Sequence, residues 1–175
     1  MTESPRYFED VAVGDKLGPR VYGPLTTSHI VRFSTSLETF YPLHHDAHWV
    51  QERGMPAILV AGPFKHALLT ALVADWAGPE AFVRETDCTH RAIDYPGYTL
   101  TVTGRVTRAW VEEGLGQAEC AVELRNGEGA VTCTGRVVVA LPRRGHGHVL
   151  KVFEAPAELY SWAFDDDDVT TVPGR

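Results

Sequence analysis

Apolar positions in this chain follow a helical period up to residue 78 and mainly a strand period from there to about residue 140. Over residues 26–38, TTSHIVRFSTSLE, Ile30, Phe33 and Leu37 recur at helical spacing behind Thr and Ser cap candidates, which predicts a helix. Pro42 ends it, because the residue before a proline is pushed towards extended geometry. A short second helix is expected from Asp46, a good N-cap, to Gly54, a good C-cap. The strongest helical signal is residues 62–78, GPFKHALLTALVADWAG, with Pro63 in its first turn and Gly78 at its end. Phe64, Ala67, Leu68, Leu69, Ala71, Leu72, Val73 and Trp76 stand nearly all round that segment, and a helix apolar on most faces is expected to be enclosed.

The strand pattern supplies the enclosure. Leu100, Val102 and Val106 alternate with Thr99, Thr101 and Thr103, and Ala118, Cys120, Val122 and Leu124 alternate with Glu119 and Glu123. NGEG at 126–129 is a hairpin turn into AVTCTGRVVVAL, and KLGPRVYG near the N-terminus adds a further strand. The expected class is α+β, with a curved antiparallel sheet wrapped around one long central helix. Residues 1–140 form this single domain, and 141–175 an extension. Its Val152, Phe153, Leu159, Tyr160, Trp162 and Phe164 predict packing on its own domain or on a neighbouring subunit.

Composition narrows the function. A net charge of −7 disfavours nucleic-acid or anionic-membrane surfaces, which need clustered Lys and Arg. No stretch approaches a membrane span, and no secretory signal is recognisable at the N-terminus. Cys88, Cys120 and Cys133 lack paired metal-type spacing and read as reduced thiols on strands, so a cytoplasmic location is expected.

Three segments carry a resemblance: YFEDVAVGDKL, then HIVRFSTSLETFYPLHHDAHWVQERGMPAILVAGPFKHALLTALVADWAG, then RAIDYPGYTLTVTGRVT. Together they resemble the MaoC-like dehydratase family, which includes (R)-specific enoyl-CoA hydratases, over roughly residues 7–140. The resemblance implies a hot-dog fold and a substrate that is an acyl thioester of coenzyme A or acyl carrier protein. It also implies at least a homodimer, or a hetero-oligomer with an active relative, and no cofactor.

The family's loop reads Asp-x-Asn-Pro-(Leu/Ile/Val)-His, and this chain has TFYPLH. Pro42, Leu43 and His44 match, so the resemblance makes His44 the catalytic histidine. Thr39 stands where the family has Asp, and Tyr41 where it has Asn. Hydration needs one group to activate water and one to protonate the α-carbon, each contributing about 10²–10⁴-fold, and a threonine hydroxyl supplies neither at neutral pH. Glu38 is the neighbouring carboxylate, and Tyr41 either donates to a substrate oxygen or fills space. Asp46 either caps the second helix or orients His44 or His45. On the binding side, amides at Gly62 and beyond Pro63, at a helix start, are placed to polarise a thioester carbonyl. Lys65 either reaches the substrate or runs out to solvent. A metal site from His44, His45, Asp46 and His48 is not expected, because neighbours on one short connector converge poorly.

Two readings follow. The first is a hydratase or dehydratase, or a relative turned to another acyl-thioester reaction. The second is a non-catalytic subunit that completes a partner's site.

Overall fold

The computed structural model describes residues 5–112, 114–146 and 149. In chain order the elements are β1 (Lys16–Tyr22), α1 (Thr27–Ser36), α2 (Ala47–Gln51), α3 (Gly62–Ala77), β2 (Phe82–His90), β3 (Leu100–Glu112), β4 (Leu115–Arg125) and β5 (Val131–Leu141). Single 3-10 turns occupy Phe8–Asp10 and Pro42–His44. The strands form one antiparallel sheet in the order β1-β3-β4-β5-β2.

Alternation along the strands decides which face is buried. Leu100, Val102, Val106, Ala118, Cys120, Val122 and Leu124 all point into the core, as their period-2 spacing predicts. The β4–β5 hairpin closes at Asn126, whose side-chain oxygen accepts from the amides of Glu128 and Ala130, each at 3.1 Å. Gly129, at φ +82°, supplies the left-handed residue this turn requires.

The expectation of a sheet wrapped around one long central helix is corrected. The sheet stays open, with β1 and β2 at opposite edges, and it is not strongly curled. Among the described residues the helical part is divided among three helices, and the 16-residue α3 lies across one face of the five strands. α3 buries Lys65, Leu68, Leu69, Leu72, Val73 and Ala77, a single stripe at three- and four-residue spacing. Pro63, Ala67 and Asp75 on its other side are exposed. The physical reason lies in its alanines. Ala67, Ala71 and Ala74 count as apolar, yet each has little surface to bury, so the helix looks more enclosed in sequence than it is.

α1 starts at a capping box, with Thr26 Oγ1 accepting from the His29 amide and His29 Nδ1 accepting from the Thr26 amide. α2 is shorter than expected, five residues, and Asp46 caps it by accepting from the Trp49 amide at 2.9 Å. The expected packing of Val152 through Phe164 lies outside the described residues.

The N-terminal turn is tied to the chain leaving β5. The Phe8 amide donates to Pro142 O, and Arg144 Nη2 holds both oxygens of Asp10 at 2.8 and 2.6 Å. The Arg144 guanidinium holds the Asp10 carboxyl below its usual range, and the Arg144 backbone amide does the same for Glu9. A carboxylate lowered in the folded state stabilises above its unfolded pKa, about 4, and that contribution fades as pH falls through the folded value. Replacing Arg144 by Gln is therefore expected to lower the urea midpoint at neutral pH. The gap to wild type should shrink below about pH 4; a gap unchanged down to strong acid would place the effect elsewhere.

Candidate functional site

The loop after α1 is set by how that helix ends. The Glu38 amide donates to Thr35 O at 3.0 Å and the Thr39 amide to Ser34 O at 2.9 Å, the paired bonds of a Schellman ending. Such an ending needs a left-handed residue, and Glu38 occupies it at φ +53° where glycine is usual. The backbone there carries roughly 1 kcal/mol of strain. Glu38 is exposed, whereas Thr39 is half-buried with its hydroxyl turned back to Leu37 O at 3.4 Å.

Phe40 and Tyr41 are 67% and 53% exposed, large apolar surfaces at the loop tip. The Tyr41 ring meets Trp49 edge-on at 5.7 Å, and Arg53 stacks on the other ring system, 3.6 Å from the Trp49 centroid. The turn Pro42–His44 then closes through the His44 amide to Tyr41 O. His44 Nδ1 lies 3.0 Å from Leu59 O. A carbonyl only accepts, so Nδ1 carries the proton and Nε2 is left as the basic nitrogen of the neutral ring.

The next stretch carries this loop to the start of α3. The Leu59 amide donates to Leu43 O and the Val60 amide to Asp94 O, each at 2.9 Å. At the helix start, Ala61 O accepts from the Phe64 and Lys65 amides. The amide beyond Pro63 is thus already engaged, whereas the Gly62 N–H has no backbone partner among the described residues. A Cβ at residue 62 would stand 2.8 Å from His90 Nε2, so only glycine lets that imidazole lie against the helix start. Burial pushes the His90 pKa down, with the positive charge of Lys65 adding to the effect.

Lys65 does not run out to solvent; its ammonium is turned into the core. It is 2% exposed, and its ammonium donates to Asp94 Oδ2 at 3.0 Å, Ala92 O at 2.6 Å and Thr132 O at 3.3 Å. Asp94 is fully buried and also accepts from Thr132 Oγ1 at 2.6 Å. Position 65 falls on the same stripe as Leu68, Leu69 and Leu72, which is the sequence signal that could have placed it inward. Asp94 had no such signal.

An open groove of about 500 Å³ runs beside the helix start, lined by Phe33, Leu37, Pro63, Ala67, Ala71 and their polar neighbours His66, Thr70 and Thr86. Phe33 and Phe64 stack at 4.5 Å beneath it. His66 Nε2 and Thr86 Oγ1 are 2.7 Å apart and give one wall a polar edge. A second hollow, on the opposite face of the sheet around Gly104 and Ala121, touches none of the loop residues. Of the strand arginines, Arg91 bonds Thr134 Oγ1 and Arg108 stacks over Trp110. Among the described residues, no helix is long and apolar enough to cross a membrane.

No family description and no curated protein matches this chain. Solved structures do. The (R)-hydratase of A. caviae involved in PHA biosynthesis is 21% identical with a TM-score of 0.69, over 77% of this chain and 99% of that one. The ChsH1–ChsH2 complex of Mycobacterium tuberculosis is 26% identical with a TM-score of 0.66, over 74% and 98%. The MaoC-like dehydratase of Rhodospirillum rubrum is 19% identical with a TM-score of 0.68, over 81% and 99%. These likenesses establish the fold: the α+β arrangement of helices on one antiparallel sheet found in MaoC-like hot-dog proteins.

Two outcomes follow from the site's packing. Lys65→Met leaves the Asp94 carboxylate buried and unpaired, so a loss of about 3–5 kcal/mol is expected in denaturant unfolding. The double change Lys65→Met with Asp94→Leu should recover much of it. Glu38→Gly relieves the left-handed strain and is expected to raise stability by up to about 1 kcal/mol, whereas Glu38→Val should lower it. A lowered urea midpoint for Glu38→Gly would contradict the strain argument.

Proposed function

We propose that this protein is a MaoC-like hydratase or dehydratase acting on an acyl thioester, a 2-enoyl or 3-hydroxyacyl group on coenzyme A or acyl carrier protein. The observation that carries the reading is the fixed imidazole of His44, with Nδ1 at 3.0 Å from Leu59 O on the stretch that leads to Gly62. Its support in architecture is the fold shared with the (R)-hydratase and the R. rubrum dehydratase.

In this mechanism the thioester carbonyl takes a hydrogen bond from the Gly62 amide, and the positive end of α3 favours the enolate charge that develops on its oxygen. The acyl chain lies in the apolar groove along Phe33, Ala67 and Ala71. His44 Nε2 takes a proton from water as oxygen bonds to the β-carbon, and the imidazolium then returns that proton to the α-carbon. Thr39 orients the water and moves no proton itself. Glu38, exposed after the helix end and next to Thr39 in sequence, is the carboxylate placed to assist. Tyr41 and Asp46 act on the flanks, the first packed edge-on against Trp49 and the second by capping α2, which holds the loop behind His44. Lys65 contributes by anchoring the helix start.

A second reading is favoured by one observation: the chain's likeness to the ChsH1–ChsH2 complex, an assembly of two different chains. Here the protein is a subunit with an incomplete proton relay that completes a partner's site.

The test is hydration of trans-2-enoyl-CoA esters, short and long, followed by loss of the conjugated thioester absorbance. His44→Ala is expected to lower turnover by about 10²-fold or more with the fold retained, and Thr39→Asp to raise it. Turnover indifferent to His44, or none at any chain length, would overturn the first reading. Activity that arises only when a second, Asp-bearing chain is added would establish the other.

A further inference from the structure

Cys88, His90 and Cys133 stand together on the helix-facing side of the sheet. Cys88 and His90 are two residues apart on β2 and so share a face. Cys133 on β5 is the direct cross-strand partner of His90. One ligand atom from each of the three lies within 4.8 Å of the others. His90 Nδ1 is 3.5 Å from Cys133 Sγ, and His90 Nε2 is 3.7 Å from Cys88 Sγ. With zinc bond lengths of about 2.3 Å to sulfur and 2.0–2.1 Å to nitrogen, a tetrahedral ion needs sulfur–nitrogen separations of about 3.5 Å. The Cys133 Sγ–His90 Nδ1 pair is already at that spacing, and the three ligand atoms together span no more than 4.8 Å.

We propose that Cys88, His90 and Cys133 form a binding site for a soft, four-coordinate transition-metal ion of the zinc(II) class, with its fourth position left to water. Only one imidazole nitrogen can serve. Nδ1, 3.5 Å from Cys133 Sγ, is at the separation a shared ion requires and is assigned as the ligand, while Nε2 lies on the Gly62 side of the ring. The two thiols together lose two protons as two sulfur–metal bonds form, leaving a site whose thiolates balance the charge of the ion.

A disulfide between the same cysteines fits the register less well. Cys88 is opposite Gly135 and Cys133 opposite His90, which makes the two cysteines diagonal neighbours. Diagonal strand neighbours are about 7–8 Å apart, beyond the usual 4.4–6.8 Å Cα span of a disulfide. The third cysteine, Cys120, is buried apart from this cluster, and burial pushes its pKa up to about 12.

The test uses the full chain, stripped with chelator and reductant and then titrated with zinc against a chromophoric chelator. Cobalt(II) serves as the spectroscopic probe. One zinc per chain is expected with Kd of about 1 μM or tighter, with proton release on binding. The cobalt form should show thiolate-to-metal charge transfer and tetrahedral d–d bands. Cys133 is fully buried and its substitution can unfold the chain, so Cys88→Ser and His90→Gln, at more exposed positions, carry the test. Each is expected to weaken zinc by about 100-fold while thermal unfolding of the apo-protein stays cooperative. His45→Ala and His48→Ala serve as controls and should change nothing. Absence of micromolar zinc binding would overturn the proposal. So would affinity kept in both variants, or oxidation of two of the three thiols to a disulfide without zinc uptake.

Discussion

The buried ion pair of Lys65 and Asp94 is the constraint on which the site's arrangement depends. An ammonium in the first turn of α3 cannot be left unpaired in the core, because desolvation would cost several kcal/mol. Its donors go to Asp94, Ala92 and Thr132, which joins the helix start to the chain leaving β2 and to the beginning of β5. The Asp94 carbonyl takes the Val60 amide, so the segment entering α3 is held by the same residue. One buried pair therefore sets where the positive end of α3 lies relative to the loop of His44.

That geometry divides the labour between the two sides of α3. Its buried stripe packs Leu68, Leu69, Leu72 and Val73 against the sheet, and its alanine side leaves room for an open groove. A glycine at the helix start serves both: it offers an unencumbered amide, and it admits the His90 ring. Gly135 is under a similar constraint within the sheet, since a Cβ there would come 2.5 Å from Asp87 O. Small residues thus bring α3 and the β2–β5 edge into close approach.

Much of the fold was legible in the chain. The alternation of Ala118, Cys120, Val122 and Leu124 with charged neighbours gave β4 its face, and the NGEG turn gave its hairpin partner. The helix boundaries near Thr26 and Asp46 were readable because caps act through adjacent residues, and the one near Gly62 because Pro63 suits a first helical turn. The proline-led turn to His44 was likewise a local signal. The degree of enclosure of α3 was not, because alanine fits exposed and covered positions alike. Lys65 was misjudged for a related reason: a lysine on an apolar stripe reads as a snorkelling side chain until its partner is known.

By itself the sequence determined period, caps and turns, since these depend on hydrogen bonds and side-chain directions within a few residues. It also carried the loop's departure from the MaoC-like pattern at Thr39 and Tyr41. Only the tertiary structure decided which distant groups meet. Asp94 lies 29 residues from Lys65 and Cys133 lies 43 residues from His90, and each pairing exists because strand register and helix placement put those side chains on one face. Between strands as far apart in the chain as β2 and β5, no turn fixes the register, and it is settled only when the sheet assembles.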